Sequence, residues 1–240
     1  MMRDKILEAA AHEIELNGMT QFRVKRVALG AGISVALLYS YFDDREDLIA
    51  SAIVHRFREV LLGLAETFTR PFESVRTTDG LRQALRVIIA DAQVPARTEA
   101  RIQRIESMSF ARHNPTASAG IAEAKKETAT LIVNRVKPLE DLNLLAEGMT
   151  AVAFARIWYA LFFGQIELEG EHALSVNADE WFTALTVLAE AAIRHEHSAL
   201  LVRTNLIKRP DFGPFERAPA KAQLKDDLCV QDDMKAPIGQ

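Results

Sequence analysis

Apolar side chains along this chain recur every three or four residues and nowhere in convincing alternation, which predicts helices and no sheet. Ile6, Ala9, Ala10 and Ile14 form one stripe that also carries Glu13 and Asn17, and Gly18 follows it as a helix terminator. Val24, Val27, Ala28 and Ala31 mark a second, very short helix that stops at Gly30 and Gly32. Asp44, with Asp47 three residues on, caps a long helix through Leu48, Ile49, Ala52, Ile53, Phe57, Val60, Leu61 and Leu64, until Pro71 breaks it. Further helices are expected at about 81–93, 98–112, 116–137, 142–168 and 179–197. After Lys208 the periodicity ends, and four of the eight prolines lie in that last stretch. The chain is therefore expected to divide into 1–46, 47–200 and a mobile tail at 208–240.

One segment stands apart. In "AGISVALLYSYFDDREDL", Ala31 to Leu48, the residues from Ile33 to Phe42 carry no charge, and five charged residues follow at once. Ser34 is placed to cap a helix, its hydroxyl accepting from the amide of Ala36 or Leu37. Leu38 and Phe42, four apart, face the two preceding helices, which leaves Val35, Ala36, Leu37, Ser40 and Tyr41 pointing elsewhere. Two short helices across a glycine turn, with a third before and a long one after, make a helix-turn-helix. Its second helix is then a major-groove reader, uncharged because base edges rather than water cover it. A buried core helix is the rival reading of the same ten residues.

Charge narrows the partners. With 29 Lys and Arg against 33 Asp and Glu, the net charge is -4, so nucleic acid must be met by a local patch. From Arg3 to Arg58 the cations (3, 5, 23, 25, 26, 45, 56, 58) equal the anions (4, 8, 13, 15, 43, 44, 46, 47) in number. That balance argues against an architectural binder, which needs a strong basic excess. The single cysteine, Cys229, leaves no intramolecular disulfide, and a cytoplasmic location is expected. No membrane partner is expected: the least charged long stretch, 148–164, contains Arg156 and falls short of the roughly 18 residues that a span needs.

The segment from Arg3 to Phe57 resembles the DNA-binding head of the TetR family of transcriptional repressors. The matching residues are the first helix closed by Gly18, then Phe22, then "VALGAGIS" against Ile-Ala-x-x-Ala-Gly-Val-Ser. "LLYSYF" follows for Leu-Tyr-x-x-Phe, and "DDREDL" for the loop that opens the fourth helix. The resemblance covers about a quarter of the chain with unbroken spacing. It implies an all-α protein, with a three-helix head on a larger helical domain for ligand binding and dimerisation. It implies that Ser34, Val35, Ala36 and Leu37 open the recognition helix and meet base edges. Lys25 matches a position that reaches phosphate or a base, and Tyr39, Tyr41 and Arg45 match phosphate contacts. Two departures matter. Arg23 replaces a small polar residue before the second helix, and Val35-Ala36-Leu37 replaces Lys-Gly-Thr, which favours apolar contact with thymine methyls.

In the larger portion, 148–164 is apolar nearly all round and so must be covered on two sides. Ala153, Ile157, Ala160 and Gly164 on that helix, with Trp181, Leu185, Leu188 and Ala192 on the next, are candidates for a homodimer interface. A larger monomeric core would explain the same pattern. Ile88, Ile105, Met108, Phe110, Phe154, Trp158 and Phe162 are large apolar candidates for a pocket, although such residues also build plain core. Arg112, His113 and Arg156 are candidates to orient a polar group. Arg97, Arg101 and Arg104 share one stripe, most simply a solvated face paired with Glu99 or Glu106. No metal-ligand spacing, Gly-rich phosphate loop or Gly-x-Ser-x-Gly is found, and His195 to His197 are poorly spaced for chelation, so no cofactor and no catalysis are expected. The expected partners are double-stranded operator DNA, a second copy of the chain, and an unidentified small effector that releases the DNA. An all-helical small-molecule-binding enzyme, or a ligand-binding protein that does not bind DNA, is the alternative.

Overall fold

The computed structural model describes residues 1–165 and 177–194. The tail at 208–240, the histidines at 195–197 and the end of the helix expected to reach 168 lie outside the described residues. The regular elements among the described residues are all helices, with one isolated antiparallel bridge between Leu145 and Ile193. The head holds α1 (Met2–Asn17), α2 (Val24–Gly30) and α3 (Val35–Leu38). Then follow α4 (Arg45–Thr69), a 3-10 turn at Arg70–Phe72, α5 (Thr78–Ala92), α6 (Pro95–Ala111), α7 (Pro115–Asp141), α8 (Ala151–Gly164) and α9 (Ala178–Ala191).

Side-chain caps set most of the starts. Amides donate to Ser34 (from Leu37), Asp44 (from Asp47), Thr77 (from Gly80), Asn114 (from Ala117), Thr150 (from Ala153) and Asn177 (from Glu180), all at 2.8–3.1 Å. Pro95 and Pro115 occupy first-turn positions, where a missing amide donor costs nothing; α6 accordingly starts at Pro95, three residues before the expected 98. Pro138 removes one donor inside α7 without ending it, and the helix runs to Asp141.

Two expectations fail on backbone grounds. The helix expected from 142 begins at Ala151, because Asn143 and Gly148 adopt left-handed φ of 58° and 79° and break the chain's path. Leu144 and Leu145 enter the core of the body instead. The recognition helix, expected over 35–42, has only its first four residues in α3. The Ser40 hydroxyl donates back to the Leu37 carbonyl at 2.7 Å, and the amides of Ser40 and Tyr41 bond three residues back at 3.1 and 3.0 Å. This tightened end swings Phe42 into the head's core.

Three apolar clusters follow one another along α4. Leu48, Ile49, Ala52 and Ile53 close the head core with Ile6, Leu7, Phe22, Val27, Leu38 and Phe42. Ala50, Phe57 and Leu61 meet Ala117, Ile121 and Ala124 of α7. Ala65 joins the body core, which centres on Leu85, Ile89, Leu139, Phe154, Trp158 and Leu185. The border drawn at 46/47 thus falls ahead of four head-core residues, and α4 belongs to both sides of it.

At the second cluster the helices touch through a glycine. A methyl group built on Gly120 of α7 would lie 2.6 and 2.8 Å from the two methyl carbons of Val54 on α4. Valine is stiff at χ1, so relief requires the helices to separate. Gly120→Ala is expected to destabilise the protein by about 1–3 kcal/mol, the usual cost of overpacking. The double variant Val54→Ala/Gly120→Ala should recover most of the loss in melting temperature. Additive losses in the double variant would show that this contact does not set the α4–α7 spacing.

Candidate nucleic-acid interface and effector cavity

The turn between α2 and α3 is made by Gly32 at φ 69°, a conformation that other residues rarely adopt. Beyond it, Ser34 accepts from the Leu37 amide at 3.1 Å and so fixes the start of α3. The outward face then presents Ala36, Leu37, Tyr39 and Tyr41; the last three are 40–43% exposed despite their apolar bulk. Val35 packs partly on the head core, and only Leu38 and Phe42 are fully inside. Six of the ten uncharged residues, at 34, 36, 37 and 39–41, are therefore at the surface.

Arg23 and Lys25 flank this face with exposed side chains. Arg45 is more constrained. Its guanidinium donates to the Glu46 carboxylate at 2.7 Å and to the Met19 carbonyl at 3.0 Å, and lies 5.5 Å over the Phe22 ring. It braces α4 against the α1–α2 loop while remaining half-exposed. Leu29, 81% exposed on α2, went unnoticed because its position in "VALGAG" reads as core.

Glu13 is the hidden organiser of the head. Almost fully buried, its carboxylate accepts from the Arg23 amide at 3.1 Å, the Asn17 amide group at 3.1 Å, and Nε and Nη2 of Arg26 at 2.8 and 2.5 Å. These bonds pin the first turn of α2 to α1, and hence the reading face to the rest of the head. The signal was an acidic residue on an otherwise apolar stripe. The hydrogen bond from Arg26 holds the Glu13 carboxyl below the ordinary glutamate value. A depressed folded-state pKa gives stability that is present above the ordinary value near 4.5 and lost as pH falls through the lower one.

A cavity lies between α4, α5, α6, α7 and α8, with about 700 Å³ of unfilled space, part of it open to solvent. Leu61, Leu64 and Phe68 of α4, Ile88, Ile132, Phe162 and Phe163 make most of its wall. Of the predicted pocket residues, Ile88 and Phe162 line it. Phe154 and Trp158 are buried behind it, in the aromatic chain Phe72–Phe154–Trp158–Phe162. Ile105 and Phe110 face a separate cleft between α6 and the head, and Met108 packs near Lys125. Arg112 and Arg156 are exposed, and His113 lines the cleft.

The expected solvated arginine stripe on α6 is corrected by the packing. Arg97 pairs with Asp91 at 2.8 and 3.0 Å, and Glu99 accepts from Gln103. Arg101 and Arg104 are each only 6% exposed, because α6 turns that face onto the cavity. Arg101 donates to the Thr98 hydroxyl at 3.2 Å, among other interactions. The Arg104 guanidinium donates to the Tyr159 hydroxyl at 2.5 Å and sits 4.4 Å over the Phe163 ring. Burial pushes its pKa below the ordinary arginine value, although a guanidinium stays charged at neutral pH. Burial, with the Arg104 charge beside it, likewise pushes the Lys125 ammonium down.

The dimer candidates also divide. Ala153, Ile157, Ala160 and Gly164 are exposed on α8, as is Leu188 on α9. Leu185 and Ala192 are not: they pack with Ala189 into the body core, where α9 meets α5. Trp181 is half-buried against the same core. The outer stripe of α9 is instead Ala184, Val187, Leu188 and Ala191.

Residues 6–52 match the model of the bacterial regulatory proteins of the tetR family. The head therefore carries the sequence pattern of the tetR family. The matched residues run from α1 into the head-core part of α4 and span the helix-turn-helix. No curated protein matches the chain. A structure described as a TetR-family transcriptional regulator, from Mesorhizobium loti, covers 79% of this chain and 94% of its own, with TM-score 0.58 and 18% identity. A transcriptional regulator from Saccharomonospora viridis, solved in complex with choline, covers 80% and 98%, with TM-score 0.54 and 17% identity. The fatty acid degradation regulator FadR from Bacillus halodurans covers 81% and 97%, with TM-score 0.51 and 14% identity. At these identities the likeness is one of fold. Among the described residues no group of three His, Cys, Asp or Glu side chains could hold a metal, and no helix is long and apolar enough to cross a membrane.

Glu13→Gln is expected to destabilise the TetR-family head by about 1–3 kcal/mol, since it leaves a formerly satisfied cluster of donors short of a charged acceptor. Urea melts monitored from pH 7 to pH 3 should show the wild type losing stability below about pH 4.5 and the variant losing less. Identical acid sensitivity in the two proteins would remove Glu13 from this role.

Proposed function

We propose that the protein is a homodimeric, cytoplasmic, non-catalytic repressor, held on a palindromic operator until a small, mostly apolar effector enters the cavity and releases it. The observation that carries this reading is that α4 and α6 each have one end in the cavity wall and the other against the head. On α4, Leu61–Phe68 line the cavity while Leu48–Ile53 are head core. On α6, Arg104 lines the cavity, and Phe110, about 9 Å further along the helix, packs on the head core. A ligand that favours one setting of these helices favours one setting of the reading face.

The domain roles follow: 1–46 reads DNA, while 47–200 binds the effector and the second subunit. Ser34, Val35, Ala36 and Leu37 meet base edges; Lys25 and Arg23 reach phosphate or guanine; Tyr39, Tyr41 and the exposed part of Arg45 contact phosphates. The dimer forms through the outer stripes of α8 and α9, where Ile157, Val187 and Leu188 are 42, 67 and 41% exposed. A two-fold pair of heads matches two half-sites. The choline-bound neighbour supports a body of this fold serving as a small-molecule site.

Gel retardation of the DNA flanking the protein's own gene tests the reading. A full-length protein that leaves this DNA unshifted at low salt would favour the ligand-binding alternative without DNA binding. Leu37→Ala should leave the melting temperature nearly unchanged, because the side chain is exposed, yet shift sequence preference by about 1 kcal/mol or more at the contacted base pair. Tyr41→Phe should weaken all sequences alike. If Leu37→Ala lowers stability and spares preference, the run is core and not reader. Leu188→Glu and Gly164→Arg should each give monomers by light scattering; wild-type monomers at micromolar concentration would defeat the dimer.

A further inference from the structure

The cavity wall is mostly apolar, and among its charged side chains Arg104 stands out as unbalanced. Arg104 enters from α6 and is buried, yet it has no carboxylate partner among the described residues. The one acidic side chain among the described lining residues, Asp91, is held by both Nε and Nη2 of Arg97. Aromatic rings cover the guanidinium's faces, with Phe163 at 4.4 Å and Tyr159 at 5.2 Å from its central carbon. Its edge is a different matter. Of five N–H groups, one hydrogen bond to a described residue is made, from Nη2 to the Tyr159 hydroxyl, and buried Nε has no partner among the described residues. The Thr128 hydroxyl, also buried and also on the cavity wall, has none either.

Leaving a buried cation in this state is costly, and the missing component is a planar, negatively charged acceptor that approaches in the guanidinium plane. A carboxylate fits that requirement with two parallel hydrogen bonds. Apart from Thr67, Arg101, Tyr159 and the Asp91–Arg97 pair, the remaining wall, with Leu61, Leu64, Phe68, Ile88, Ile132 and Phe162, offers apolar surface to the rest of the molecule.

We propose that the effector is an organic monocarboxylate with an apolar body, its carboxylate held edge-on by Arg104 beside Thr128 and its body in the cavity between α4, α5, α7 and α8. This rests on the regulator reading only in taking the cavity for the effector site. It also makes a choice of sign, since a quaternary or primary ammonium head would meet Arg104 as a like charge.

Isothermal titration of the full chain tests it, with octanoate and 4-phenylbutanoate as anionic probes and octanamide and octylammonium as neutral and cationic counterparts. The carboxylates should bind at least about tenfold tighter than octanamide, as expected of charge-assisted bonds in a buried site. Octylammonium should be weakest, and the better of the two carboxylates tells whether the body is alkyl or aryl. Arg104→Met, and independently Arg104→Gln, should reduce the carboxylates to the amide level while the affinity for octanamide changes less than about twofold. Helical circular dichroism and a melting temperature no lower than wild type are expected for at least one of them, because a buried charge is removed. The proposal is overturned by equal binding of octanamide, by tighter binding of octylammonium, by undiminished carboxylate binding in either folded Arg104 variant, or by no carboxylate binding up to about 10 mM. Parallel gel retardation separates the two readings. Arg104-dependent carboxylate binding without any DNA shift sinks the repressor and leaves the site; a DNA shift without carboxylate binding does the reverse.

Discussion

The continuity of one helix constrains everything else in this molecule. α4 runs 25 residues, about 37 Å, from the Asp44 cap to Thr69 without a proline. Its first third is as much head as body, its middle is clamped to α7 at Gly120, and its last third walls the cavity. A helix of this kind transmits displacement because its backbone hydrogen bonds make it stiff along its length. The side chains around it resist continuous deformation, since a close-packed interior has few intermediate arrangements. The head therefore cannot be treated as an independent unit joined by a linker. Its core is incomplete without Leu48, Ile49, Ala52 and Ile53, and those residues are on the same rod as Leu61 and Phe68.

Two buried charges show opposite solutions to the same problem. Glu13 is surrounded by donors from Asn17, Arg23 and Arg26, and it is a finished piece of architecture that orients α2. Arg104 has two aromatic faces and one phenolic hydroxyl, and its remaining donors find no protein acceptor among the described residues. Stability alone explains the first arrangement. It does not explain the second, for a methionine in the place of Arg104 would bury similar apolar area without a desolvated charge.

Much of this was legible in the sequence. Periodicity gave the helices, the caps Ser34 and Asp44 behaved as their side chains require, and six residues of the uncharged run at 33–42 proved exposed. What failed has identifiable causes. The end of α3 was set by a local bond from Ser40 that competes with helix continuation, and the late start of α8 by left-handed residues at 143 and 148. The arginines of α6 were misjudged because a charged stripe on a helix is ordinarily solvated, and only the tertiary position of α6 turns Arg101 and Arg104 inward. Leu185 and Leu188 are three residues apart and look equivalent in the sequence; the placement of α9 against α5 sends one inside and leaves the other out.

The same geometry limits how an effector can act. Ligand in the cavity can alter the head only through a difference in affinity between two arrangements of α4 and α6, however tightly it binds to either. The apolar wall contributes little to such a difference if both arrangements keep the cavity closed, because hydrophobic burial is non-directional. A bidentate contact to Arg104 is directional, and so it is sensitive to where α6 lies. Since Phe110 of the same helix rests on the head core, a shift of α6 toward a bound acceptor must be accommodated at the head. The polar edge of the cavity is thus better suited to discriminate between the two states, while the apolar wall supplies most of the area that holds the ligand in either.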